Sequence, residues 1–137
     1  MGFKRFEILS HTADIKVKFY GKNFEEIIDS VFIFYYHNTE INISNFEITE
    51  ELIIDIEDEG LEFLVVRLIN ELIYLKETGK FVKNYEILKL NNNLLKIKLN
   101  LIKKKFSFIE ELKSATYHDL KLEKENGFIS IIVTIDV

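Results

Sequence analysis

Cysteine is absent from this chain. That absence excludes a disulfide framework, a thiol nucleophile, thiolate-bound zinc and iron–sulfur centres. Proline is absent too, and with only five glycines the usual composition of an interdomain linker is missing. No segment repeats, and 137 residues leave room for one core, so residues 1–137 are read as a single domain. No apolar run approaches the ~18–20 residues that cross a membrane. The opening Met1-Gly-Phe-Lys-Arg-Phe-Glu lacks the apolar core and small-residue cleavage site of a secretory signal. The expectation is a soluble, cytoplasmic protein with no membrane partner. Positive charge is in deficit, 18 Lys and Arg against 23 Asp and Glu, which disfavours a broad grip on phosphate backbone. Glycine-rich phosphate cradles and the G-x-S-x-G nucleophile elbow are likewise missing.

What is present is apolar patterning of two periods. Asn23-Phe-Glu-Glu is an N-cap with Glu26 placed for a capping box, and Phe24, Ile27, Ile28, Val31, Phe32 and Tyr35 follow at helical spacing. A second helix is predicted from Gly60, after the acidic run Glu57-Asp58-Glu59, to Thr78; Leu61, Leu64, Val65, Leu68, Ile69, Leu72 and Ile73 form its buried stripe. Elsewhere the period is two, as in Ile15, Val17 and Phe19 against Lys16 and Lys18. Strands are predicted over Phe6 to Leu9, Ile15 to Tyr20, Phe46 to Ile56, Phe81 to Leu90, Leu94 to Ile102, Leu112 to Leu122 and Phe128 to Val137. Asn91-Asn-Asn is expected to turn by left-handed dihedrals that asparagine tolerates, and Asn126-Gly127 to form a tight hairpin turn. Two helices among six or seven strands predict an α+β fold, a two-layer sandwich with both helices on one face of a mostly antiparallel sheet.

Three segments carry chemistry. His11-Thr12-Ala13-Asp14 lies between the first two strands, and reads either as a functional loop or as a turn in which Thr12 and Asp14 bond nearby amides. The closing Asp136-Val137 offers a side-chain carboxylate, a carbonyl and a terminal carboxylate, hard oxygen donors suited to calcium or magnesium; the plain alternative is a solvated, frayed strand end. If the last strand lies beside Asp14, three acidic groups converge and a cation would offset their repulsion. Lys113-Ser-Ala-Thr-Tyr-His118 mixes a cation, hydroxyls, a phenol and an imidazole, and reads equally as a strand with one polar face. His11, His37 and His118 lack the close spacing of common zinc motifs. Lys103-Lys-Lys105 with Phe106 and Phe108 is the one basic and aromatic cluster, and is expected to be a solvated hairpin end.

Ser10-His11-Thr12-Ala13-Asp14-Ile15, Leu68-Ile69-Asn70-Glu71-Leu72-Ile73-Tyr74, Lys113-Ser-Ala-Thr-Tyr-His118 and the Asp136 ending, taken in order and spacing, resemble the archease family over essentially the whole chain. Two departures stand out: Arg67 where many relatives carry tryptophan, and Ser10 where aspartate is frequent. The resemblance implies a non-catalytic activator of the GTP-dependent RNA ligase that joins 3′-phosphate or 2′,3′-cyclic phosphate ends to 5′-hydroxyl ends in tRNA splicing. Such a protein assists guanylylation of the ligase's active-site histidine and sustains multiple turnover. By position, Asp14, Asp136 and Val137 are implied to hold a divalent cation, calcium before magnesium. Lys113 is implied to act in ligase activation, and His11 and His118 stand in the motifs as supporting residues without an assigned role. Direct high-affinity nucleic-acid binding is not expected. Two other classes stay open: a general binding or chaperone module for RNA-modifying enzymes such as tRNA methylases, and a small metal-dependent hydrolase, which the chain furnishes with no obvious nucleophile or general base.

Overall fold

The computed structural model describes residues 4–11, 13–41 and 46–137. In chain order the elements are β1 (Phe6–His11), β2 (Asp14–Gly21), α1 (Phe24–His37), β3 (Thr39–Glu40), β4 (Glu50–Glu57), α2 (Leu61–Glu77), β5 (Lys80–Leu90), β6 (Leu94–Lys103), β7 (Ser107–Phe108), β8 (Ser114–Glu125) and β9 (Phe128–Asp136). Asn23 caps α1 as its sequence suggests, its side-chain oxygen accepting the Glu26 amide at 2.8 Å. The Glu26 carboxylate accepts the Lys22 amide at 3.0 Å, so the return bond of the capping box falls one residue earlier than usual. Helix α2 starts at Gly60 without a side-chain cap and ends at Thr78. Gly79 then takes φ +78°, the left-handed geometry that terminates helices. Every residue of the predicted α2 stripe is buried, and so are Val66 and Leu75, which widens the apolar face beyond one stripe.

The two helices and the antiparallel strands are those expected of an α+β sandwich, but the strands divide among three sheets. The largest has the order β1-β2-β9-β8, a second the order β4-β6-β5, and β3 pairs with β7 in a short ribbon. Both helices touch both larger sheets: α1 lies against β1, β2, β9 and β5, and α2 against β8, β4 and β5. Alternation reports which faces of a strand are wet, not which strand lies next to it, so this partition is invisible to periodicity.

Several local expectations shift. The strand predicted from Phe46 begins at Glu50; Phe46 packs partly against the core, with the Lys104 ammonium 5.2 Å from its ring centre. Asn91 to Asn93 make their turn without positive φ. Instead the Asn91 side chain accepts the Asn93 amide at 2.9 Å, and the Asn91 amide reaches the Leu94 carbonyl at 2.9 Å. Asn126 and Gly127 do adopt φ +50° and +79°, as the hairpin reading requires. Lys103, Lys104 and Lys105 are exposed as expected, whereas Phe106 and Phe108 turn inward, Phe106 lying 5.0 Å from Phe81 and 5.5 Å from Phe108. Those rings belong to the core and are not free to stack on bases.

Candidate functional site

The register of the first sheet is set by burial. Ile15, Val17 and Phe19 of β2 and Ile131, Val133 and Ile135 of β9 all point inward at 0% exposure. A slip of one residue would expose all six, so the pairing is fixed. It places Asp14 directly opposite Asp136, and Asp136 in turn opposite Ser114 of β8. Cross-strand partners project to the same face with Cβ atoms about 4.5–5.5 Å apart, so the two carboxylates share one outward corner. The Lys113 amide donates to the Asp136 carbonyl at 2.8 Å and Ser114 Oγ lies 3.4 Å from Asp136 Oδ2. Val137 follows, half-buried against the edge of the core.

Helix α2 holds this corner from below. The Asn70 amide nitrogen donates to the Ala115 carbonyl at 3.0 Å, and its oxygen accepts the Ala115 amide at 2.8 Å. A single side chain thus substitutes for a neighbouring strand at the start of β8, fixing the segment that carries Lys113. The Lys113 side chain is exposed.

One row further along, Lys16, Thr134 and Thr116 stand opposite one another. Beyond Thr116 the β8 ladder breaks: Thr116 pairs with Thr134, but the next pair is Lys121 with Ile132. Tyr117, His118, Asp119 and Leu120 are therefore opposed by Val133 alone, a bulge wider than the usual single extra residue. Asp119 sits at φ +55° within it. Its Oδ2 lies 2.8 Å from Lys16 Nζ and 3.2 Å from His118 Nε2. The hydrogen bond from Lys16, then the charges of His118 and Lys16, hold the Asp119 carboxyl below its ordinary pKa. That same bond, the Asp119 charge and the more distant Asp14 charge raise the Lys16 ammonium. Thr134 is 1% exposed although it belongs to the outward-facing row, and its hydroxyl has no hydrogen-bond partner among the described residues.

Asp14, Asp136, Val137 and Lys113 are thus brought to one end of one sheet. His118 is not among them; it turns to Asp119. The backbone of His11 pairs with Ile15 beside the corner, while its side chain and Thr12 lie outside the described residues. Among the described residues no three His, Cys, Asp or Glu side chains gather around a common point. The histidine set and any metal centre built on three such side chains are therefore unsupported there. The donors that do meet are the two carboxylates, with Val137 next in the chain. Like charges directly opposite each other destabilise a sheet, and neither carboxylate is ion-paired with a basic side chain among the described residues. An all-oxygen, acidic, outward-facing donor set suits a hard divalent cation.

Lys16, Thr134 and Asp119 carry much of this geometry and have no site role in the sequence reading; Asn70 enters that reading only as part of the motif at residues 68–74. Asn70 had a signal, as a polar residue set among the buried stripe of a helix. Asp119 had none, because a bulge leaves no mark on an alternation already short and mixed.

A sequence model of the Archease protein family (MTH1598/TM1083) matches residues 6–137. The chain belongs to the archease family. It is 30% identical over 128 residues to the archease of Pyrococcus furiosus, covering 88% of this chain and 89% of that protein. It is 32% identical over 128 residues to the archease of Thermococcus gammatolerans, with the same coverage. The crystal structure of an archease and possible chaperone of Thermotoga maritima superposes with a TM-score of 0.67 at 26% identity, over 100% of both chains. Protein 1598 of Methanobacterium thermoautotrophicum shares the fold, with a TM-score of 0.71 at 24% identity over 98% of this chain and 100% of that one. In this archease-family chain, Arg67 donates to the Glu57 carbonyl at 2.6 Å and lies 3.7 Å from Asp58, tying the second turn of α2 to the end of β4. Ser10 is exposed in β1, where its backbone pairs with Lys16. Among the described residues no helix is long and apolar enough to cross a membrane.

Proposed function

We propose that this archease-family chain is a non-catalytic activator of a GTP-dependent RNA ligase that joins 3′-phosphate or 2′,3′-cyclic phosphate ends to 5′-hydroxyl ends in tRNA splicing. It promotes guanylylation of the ligase's active-site histidine and so sustains multiple turnover. The observation that carries this reading is the pairing of Asp14 with Asp136 at a sheet end that also presents Lys113. These positions are distant in sequence, and their convergence supports one site, not three unrelated motifs. Asp14, Asp136 and Val137 hold a divalent cation, calcium first and magnesium second. When bound, the cation supplies positive charge toward nucleotide phosphates. Lys113 presents a second positive charge from the same corner, and its exposed side chain is free to reach a partner's phosphates or carboxylates.

A multiple-turnover ligation assay with the cognate ligase, GTP and RNA ends tests the proposal. The chain raises turnover and guanylate transfer to the ligase, and Asp14→Ala or Asp136→Ala abolishes the gain while the fold persists. Lys113→Ala lowers stimulation and changes stability by under ~0.5 kcal/mol, as expected for an exposed lysine. Equal turnover with and without the chain, and unchanged guanylate transfer, would refute the activator. Isothermal titration tests the cation: Asp136→Asn removes one carboxylate charge and weakens calcium binding.

The description of the Thermotoga maritima relative as a possible chaperone favours a second reading, a general binding module for RNA-modifying enzymes such as tRNA methylases. Retention of a methylase and not the ligase in a pull-down selects it.

A further inference from the structure

We propose that Asp119 is a latch for Lys16: it holds the ammonium away from Asp14 and Asp136 and so keeps that carboxylate pair open to a divalent cation. This rests on the cation reading above and adds the two residues that set the site's affinity.

Lys16 stands two residues from Asp14 on the same face of β2 and diagonal to Asp136 through its partner Thr134. Same-face diagonal neighbours lie about 7–8 Å apart, within reach of a lysine. Left to itself, an ammonium on this row would settle against two unpaired carboxylates and cancel the charge that a cation needs. The structure shows it elsewhere, 2.8 Å from Asp119 on the far side of β9. Reaching that position requires the bulge, with four residues of β8 set against one of β9 and a non-glycine residue at φ +55°. Aspartate is among the few residues that enter this region without large strain. His118 Nε2, 3.2 Å from the same carboxylate oxygen, helps to fix its direction. The contact that this irregularity brings about across the sheet is the one between Asp119 and Lys16.

Calcium titration of the full chain by isothermal calorimetry, over a double-mutant cycle, tests the latch. Asp119→Asn keeps a side chain that accepts positive φ and removes the charge that holds Lys16. It weakens calcium binding about fivefold, the upper range for an exposed ion pair. In a Lys16→Met background, which needs no change in the bulge, the same substitution costs less than about twofold. Lys16→Met alone leaves binding within about twofold of the parent, because the latched ammonium is already held away from the pair. Equal weakening in both backgrounds would make Asp119 a distant charge and overturn the latch, as would a Lys16→Met protein that binds calcium about fivefold or more tighter than the parent, since the ammonium would then compete in spite of Asp119. A parent chain that binds no calcium overturns the cation reading itself, and the latch with it.

Discussion

The hairpins β5–β6 and β8–β9 start from the same alternation and both turn on asparagine, yet one is scaffold and the other carries the candidate site. In β5–β6 the register shifts at two points, between Val82 and Asn84 and between Ile87 and Lys89, and after each the pairing resumes. Leu95, Ile97, Leu99 and Leu101 stay inward throughout at 0% exposure. A one-residue bulge adds twist that a sheet absorbs. In β8–β9 three surplus residues accumulate at one point, and twist alone cannot absorb them. They are held by side chains: Asp119 to Lys16, Tyr117 with its ring 5.9 Å from Phe63, and Asn70 gripping Ala115 just ahead of the break. The difference teaches that the small irregularities accompany burial, while the large one coincides with the outward row that bears the carboxylates.

Substitutions ranked by effect should separate the two hairpins. Leu99→Ala in the scaffold hairpin opens a cavity in a fully buried site and lowers unfolding free energy by about 2–5 kcal/mol in urea denaturation. Calcium affinity of the remaining folded protein is unchanged, and a parallel loss would erase the distinction. Asn70→Ala removes both bonds to Ala115 and leaves its amide and carbonyl without those partners, a cost of about 1–3 kcal/mol. Because this side chain places the start of β8, ligase stimulation falls with it, measured at a temperature where the variant is folded. Gly127→Ala is the mildest: an added Cβ meets nothing within 4 Å, so only the φ of +79° opposes it, at about 1 kcal/mol. Thermal melting should shift modestly with stimulation intact. A larger functional loss than that of Asn70→Ala would place the turn, not the bulge, in the site.

Alkaline stability offers a further contrast. Tyr35 and Tyr36 of α1 and Tyr85 of β5 are held above the ordinary phenol pKa, first by burial, and in Tyr85 also by its 2.7 Å hydrogen bond to Asp29. Groups whose folded pKa is raised contribute stability that is fully present below the unfolded value, about 10, and is lost as pH rises beyond it. Melting temperature should therefore fall above about pH 10. Tyr85→Phe should flatten that fall.

Much of this was legible in the linear chain. Asn23, Gly60 and Thr78 marked helix ends because capping is a local transaction between neighbouring residues. Ile15, Val17 and Phe19 declared an inward face because alternation is local as well. Asp14, Asp136 and Lys113 were nominated together by motif order, which names residues without supplying distances.

What the sequence determined by itself was both helices, the seven longer strands, their buried faces and the residue types available for an oxygen-donor corner, since each depends on contacts within a few residues; the two-residue strands β3 and β7 carry no such signal. Tertiary structure decided that β2 lies beside β9 in the register that sets Asp14 against Asp136, that the strands part into three sheets, and that β8 bulges so Asp119 meets Lys16. Those outcomes depend on which faces fit when the whole core closes. Residues 16 and 119 meet only because β8 and β2 lie on either side of β9, and no local rule contains that arrangement.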